Sequence, residues 1–342
     1  MVLSWEVAAG VVARARGLRW PAPVLNPRAT PPAAAVHPDA PPHAAPSDAA
    51  TGHPRPPAAS RTAHGVALLR AAHQLLDAPP LVLDDPVAAS LVDPDALAAL
   101  RADPARFQSP EARARRAHVV LRSRFAEDRL RDAAARGVDQ YVLLGAGLDT
   151  FAYRQPAWAR DLRVVEVDHA ASRRAKLDRL AAAGVAVPPN VTHAAVDLEA
   201  ACAAPDPAAA LAAALAAHGV RRDRPAVYSW LGVSMYLTAP AVDAVFRLVA
   251  GHPAGSEVAL TFAPPPPPGV DPADWPSPRH RRATAGEPWV TFFTPAELEA
   301  RLRAAGFARV DFLAPADAES RYLRGRADLP VPRDVTIAAA TV

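Results

Sequence analysis

Residues 140–154 read QYVLLGAGLDTFAYR, and the fold of the chain follows from how this stretch is parsed. Tyr141-Val142-Leu143-Leu144 is a short apolar run, rich in β-formers, and predicts a buried strand. Gly145-Ala146-Gly147 follows at once. A strand ending in Gly-x-Gly presents bare backbone N–H groups at its C-terminal tip, where no Cβ separates the chain from a nucleotide or amino-acid ligand. A second strand-like run, Leu162 to Val167, ends in Asp168. An acidic residue at the neighbouring strand tip, about twenty positions beyond the glycines, is placed to hold a ribose diol. The pair predicts a nucleoside-bearing cofactor. The plainer readings are turn glycines without function, and Asp168 as N-cap of the next helix.

Gly145 to Thr150 carries two of the three glycines of the dinucleotide fingerprint. Thr150 stands where the third would allow close helix–strand packing beside a pyrophosphate. S-adenosylmethionine has an adenosine without phosphates and uses the same turn, so the missing glycine favours it over a nicotinamide dinucleotide. Asp197, ending a third predicted strand, is a candidate acceptor for the adenine amino group or a plain turn residue. Asp149 and Thr150 read as helix-start residues, with any ligand contact secondary.

Outward from this stretch the chain alternates strand and helix. Strands are predicted at 141–144, 162–167, 191–196, 226–230 and 257–263, with helices at 149–159, 170–183, 205–218 and 239–250. Repeated βα units imply a parallel sheet with helices on both faces, an α/β fold. Pro264 to Pro268 breaks the pattern, and 264–293 reads as an excursion over the ligand face. Its Trp275, Trp289, Phe292 and Phe293 are candidates for an apolar pocket wall or for core packing. Thr294-Pro295-Ala296-Glu297 starts a helix ending at Gly306, and strands at 309–313 and 335–341 suggest an added antiparallel hairpin. Before the glycine strand, helices are predicted at 60–77, 86–91, 95–100 and 111–136, forming an N-terminal helical segment over 59–137.

Residues 1–58 hold 12 prolines in an Ala/Pro/His background without helical or strand period, and are expected to be a disordered tail. The predicted organisation is therefore tail, helical segment, and a cofactor-binding core over 138–342. Positive charge is almost all arginine, with Lys176 the single lysine, and a net charge of +3 shows no concentrated basic stripe for nucleic acid. The single cysteine, Cys202, excludes an intramolecular disulfide and a multi-cysteine zinc site. None of the 11 histidines shows metal-ligand spacing, so no metal is expected. No apolar run approaches the roughly 18–20 residues of a membrane span, and the N-terminus lacks a signal-peptide pattern. The expected location is the cytoplasm. Oligomeric state is not legible.

LLGAGLDTFAYR, followed by VVEVDHAASRRAKLDRL, VDLE and WLGVSMYLT, resembles the leucine carboxyl methyltransferase-like family of S-adenosylmethionine-dependent methyltransferases, in its bacterial small-molecule branch. The resemblance runs from about Ser60 to the C-terminus. It implies a class I methyltransferase fold, Rossmann-like, with a mostly parallel sheet, a C-terminal antiparallel strand and an N-terminal helical cap. It also implies roles residue by residue. Arg122, in VLRSRF, matches the arginine that pairs with the methionine carboxylate, a task suited to a guanidinium fork. Gly145 matches the backbone contact beside the methionine part, with Ala146, Gly147 and Asp149 in the same turn. Asp168 matches the ribose acid and Asp197-Leu198 the adenine contact. Arg70 is a looser match to a basic residue on the cap. Leu231 stands where the family often has glutamate, so a polar contact near the cofactor is lost or supplied elsewhere.

The reading is an O-methyltransferase acting on a carboxylate or hydroxyl of a small molecule. A carboxylate acceptor arrives ionised; a hydroxyl needs a base, for which Tyr236, His169, Tyr153 and Tyr228 are candidates, Tyr236 best placed after a strand tip. Two rivals stay open. One is an NAD(P)-dependent oxidoreductase. The other is a degenerate methyltransferase fold serving as a binding subunit, which Leu231 and the lack of an evident base keep in view.

Overall fold

A computed structural model describes residues 61–270 and 289–342. The tail at 1–58, Trp275 and most of the 264–293 excursion lie outside the described residues.

Five strands form the parallel part of one sheet: β1 (Gln140–Leu144), β2 (Arg163–Asp168), β3 (Val191–Ala195), β4 (Val227–Trp230) and β5 (Glu257–Thr261). β6 (Arg309–Phe312) and β7 (Ile337–Thr341) complete it in the order β3-β2-β1-β4-β5-β7-β6. β7 runs antiparallel to both β5 and β6, so it alone is reversed. The strand order switches direction between β1 and β4, where an open α/β sheet leaves a crevice beyond its strand ends.

Side chains alternate across the strands, and each face finds its own cover. Val142, Leu144, Val165, Val167, Tyr228 and Trp230 pack with helices α5 (Pro207–Ala216), α6 (Ala239–Ala250) and α7 (Pro295–Ala305). Tyr141, Leu143, Val164 and Val227 pack on the other face with Leu130 and Ala133 of α3 (Pro110–Ala135). At 26 residues α3 is long enough, about 39 Å, to reach from there to Ile337 and Ala339 of β7. Every residue of β1, β4 and β5 is buried, so their apolar residues do not alternate with exposed polar ones; Gln140, Ser229, Glu257 and Thr261 are buried polar members of these strands.

α1 (Arg61–Leu76) and α2 (Pro94–Ala102) precede α3, with a 3₁₀ turn at Ala88–Leu91 between them. Ala67 and Ala71 of α1 cluster with Val92 and with Leu148 from the glycine turn. α4 (Ala170–Ala182) connects β2 to β3. α7 begins with Thr294 and Glu297 capping one another and ends at Gly306 with φ +111°, a left-handed stop.

The helix expected at 149–159 does not form. Two 3₁₀ turns, Phe151–Tyr153 and Ala157–Ala159, take its place. Asp149 Oδ1 accepts from Phe151 N at 2.8 Å, closing a tight turn, and Pro156 has no N–H to continue a helical ladder. A short helix α8 (Pro315–Ala318), running into a π turn at Glu319–Leu323, was not predicted between β6 and β7. No helix among the described residues is long and apolar enough to cross a membrane.

Candidate functional site

The C-terminal tips of β1, β2 and β4 open onto a cleft of about 430 Å³, closed on the far side by α1 and α3. Arg70, Arg122, Gly145, Ala146, Gly147, Asp149, Asp168, Leu231 and Tyr236 all line it. Asp197 and Leu198 do not. Asp197 is exposed, and its Oδ1 accepts from Glu199 N and Ala200 N, both at 3.0 Å, as a turn-former. Leu198 is buried in the core beneath α5 and α6.

The glycine turn is built by φ angles that side chains disfavour: +65° at Gly145 and +48° at Gly147. A Cβ on Gly145 would collide with Val233 of the neighbouring strand tip. Asp168 is drawn into this turn. Its Oδ2 accepts from Gly147 N at 2.6 Å and its Oδ1 from His169 N at 2.7 Å. It is therefore not the N-cap of α4; His169 takes that role, with Nδ1 accepting from Ala171 N at 3.3 Å. Each Asp168 oxygen keeps lone pairs beyond these bonds, as two ribose hydroxyls require. Burial pushes the carboxyl up, and the two backbone N–H groups oppose that shift.

At the other end stands Arg122, half-buried on α3. Burial, and then the Arg70 charge, pull its guanidinium down to about 10. No carboxylate among the described residues forms an ion pair with it. Its Nη1 would lie 2.7 Å from a Cβ at Gly232, so the bare backbone after β4 is what admits it. Gly232, with φ +77°, was missed in the sequence; its only signal was a glycine directly after a strand.

Arg70 does something else. Its Nη1 donates to Asp149 Oδ2 at 2.7 Å and its Nη2 lies 3.2 Å from Asp85 Oδ2. Arg154 Nε lies 3.4 Å from Asp85 Oδ1 and forks onto Glu127 of α3, with Nη1 to Oε2 at 3.0 Å. Thr150 Oγ1 donates to Asp85. Burial would raise the Asp149 carboxyl, but Arg70, Lys176 and Arg154 outweigh it and hold it well below the usual range. Asp149, Thr150 and Arg154 of the quoted stretch thus bolt the turn to α1, α3 and the 81–86 loop. Asp85 and Glu127 carried no signal of this, because both sit among other charged residues in the sequence.

Of the four candidate bases, the structure brings two to the cleft. Tyr153 Oη donates to Glu166 at 2.7 Å and Tyr228 Oη pairs with His252 at 2.8 Å, and neither lines it. His169 and Tyr236 do. With Nδ1 accepting a backbone N–H, neutral His169 carries its proton on Nε2, and so presents a donor there. Phe293 is core, packed against the sheet, while Trp289 and Phe292 face each other at 6.3 Å away from the cleft lining.

The family model described as leucine carboxyl methyltransferase matches residues 63–250. YktD of Bacillus subtilis, named as a proposed S-adenosyl-L-methionine-dependent methyltransferase, is 29% identical over 215 residues, covering 61% of this chain and 67% of YktD. A protein of the same description from Mycobacterium marinum is 36% identical over 149 residues, 43% of this chain; the chain spans under half, 46%, of that relative's length. Among solved structures, a proposed methyltransferase from Thermobifida fusca aligns with a TM-score of 0.47 at 22% identity, over 74% of this chain and 91% of that one.

Proposed function

The chain belongs to the leucine carboxyl methyltransferase family, and on that premise we propose that it is an S-adenosylmethionine-dependent O-methyltransferase acting on a small molecule. One observation carries the reading. A single cleft holds, at one end, a carboxylate clamped to a glycine turn, and at the other a half-buried guanidinium that pairs with no carboxylate among the described residues. Those ends suit the ribose diol and the amino-acid carboxylate of one cofactor molecule.

When bound, the cofactor supplies an electrophilic methyl group. Arg122 would hold its carboxylate, Asp168 its ribose hydroxyls, and Gly145 to Gly147 the backbone floor between them. Arg70 binds no ligand in this scheme; it fixes Asp149 and so the turn. Val66, Val233 and Leu237 line the cleft with apolar surface that displaces water from the reacting oxygen. Catalysis is then mostly placement of the acceptor. His169 offers a donor at Nε2, which leaves Tyr236 as the candidate base for a hydroxyl acceptor. A carboxylate acceptor needs no proton removed, and the polarity of His169 favours it.

Calorimetric titration of the full chain with S-adenosylhomocysteine tests the reading. Saturable binding supports it; a folded protein that takes up no S-adenosylhomocysteine, but whose melting temperature rises with NAD, favours the NAD(P)-dependent oxidoreductase reading instead.

A further inference from the structure

Residues 78–82 and 321–328 enclose a second cavity of about 540 Å³, outside the cleft. Arg124, Arg321, Arg324 and Arg326 line it, against one lining carboxylate, Asp328. That carboxylate is taken by Arg326, whose Nε and Nη2 reach it at 3.0 and 2.6 Å. Arg124 pairs with Asp128 at 3.0 Å. Among the described residues no carboxylate forms an ion pair with Arg321 or Arg324, both exposed.

The Arg321 guanidinium is held in place without using its N–H groups. It lies 5.0 Å from the Tyr322 ring centre and 5.7 Å from that of Phe125. Stacking of this kind fixes the planar fork and leaves its donors for a ligand. The Tyr322 hydroxyl is buried beside it and lies close to Asp128. Burial, and then Asp128, push that phenol up. Arg122 and Arg124 sit two positions apart on α3, about 200° round the helix, which sends one to each cavity.

We infer that this cavity binds the phosphate monoester of a small organic molecule. Two guanidinium groups without carboxylate partners match the charge of a phosphate dianion, and forked N–H donors match its oxygens. The volume exceeds that of a bare phosphate and leaves room for the organic part. The inference stands apart from the cofactor reading, since it shares no lining residue with the cleft.

The test uses inorganic phosphate and pyrophosphate, titrated calorimetrically into the full chain and its variants. The expected result is saturable, one-to-one pyrophosphate binding that weakens at least tenfold in R321Q/R324Q and is unchanged in Arg122→Gln. Thermal melting checks that the double variant is folded; if it is not, Arg324→Gln alone, a change at an exposed side chain, is expected to weaken binding several-fold. No saturable binding, binding that survives loss of these arginines, or binding lost with Arg122 overturns the inference.

Discussion

Nη1 of Arg70 donates to Oδ2 of Asp149 at 2.7 Å, joining α1 to the glycine turn across 79 positions of sequence. The other oxygen of Asp149 accepts from Phe151 N, so one carboxylate both shapes the turn and ties the N-terminal helices to it. Arg70 is 3% exposed and Asp149 19%, and water screens such a pair little.

Arg70→Met should therefore destabilise the fold. It leaves Asp85 and Asp149 without their shared cation, and breaking a buried pair from one side costs about 3–5 kcal/mol. Urea unfolding is expected to show a lower midpoint at unchanged slope. A midpoint equal to that of the parent would show that the pair does not hold the helices to the turn.

Asp168→Asn should weaken S-adenosylhomocysteine. The amide has a donor at one end, which must face either Gly147 N–H or His169 N–H, and the charge on the ribose side is gone. A loss of about 1–3 kcal/mol is expected, read by calorimetry. Unchanged affinity removes Asp168 from the cofactor site.

Arg122→Gln separates the two ends of the cleft. S-adenosylhomocysteine, which carries the amino-acid carboxylate, should bind at least tenfold more weakly, whereas methylthioadenosine, which lacks it, should bind the variant and the parent alike. Equal losses for both ligands would mean that Arg122 supports the cleft generally and does not select the carboxylate.

His118, one turn before Arg122 on α3, makes stability pH-dependent. Burial, and then the Arg122 charge, push it down to about 3. The unfolded chain thus takes the proton first as pH falls, so the stability carried by neutral His118 is full above pH ~6.5 and is lost progressively toward the folded value. Between pH 7.5 and 5.5 the parent should lose about 1 kcal/mol more than His118→Gln, since each pH unit below the unfolded value contributes at most about 1.4 kcal/mol. Parallel denaturation curves at both pH values would show that His118 titrates normally.

Much of the fold was legible because its signals are local. Gly145 and Gly147 follow an apolar run, Thr294 precedes Pro295 and Glu297, and Gly306 ends a helix; each is a backbone requirement met within a few residues. The helix wrongly expected at 149–159 shows the limit. Its composition suits a helix, but Asp149 closes a turn on Phe151 and Pro156 lacks an N–H.

Local signals in the chain were enough to mark a glycine turn, an acid at the next strand tip and an arginine one helix earlier, and the fold brings all three to one cleft. Which partners their side chains take there came from long-range packing. It paired Arg70, at the cleft lining, with Asp149 and Asp85, and left Asp197 outside that lining. It joined Asp85 and Glu127 to Arg154 and led Tyr153 and Tyr228 to other partners. The physical reason is range. Turns and caps are settled by neighbours in the chain, whereas the partner of a buried charge is whichever opposite charge the packing of distant segments brings within about 3 Å.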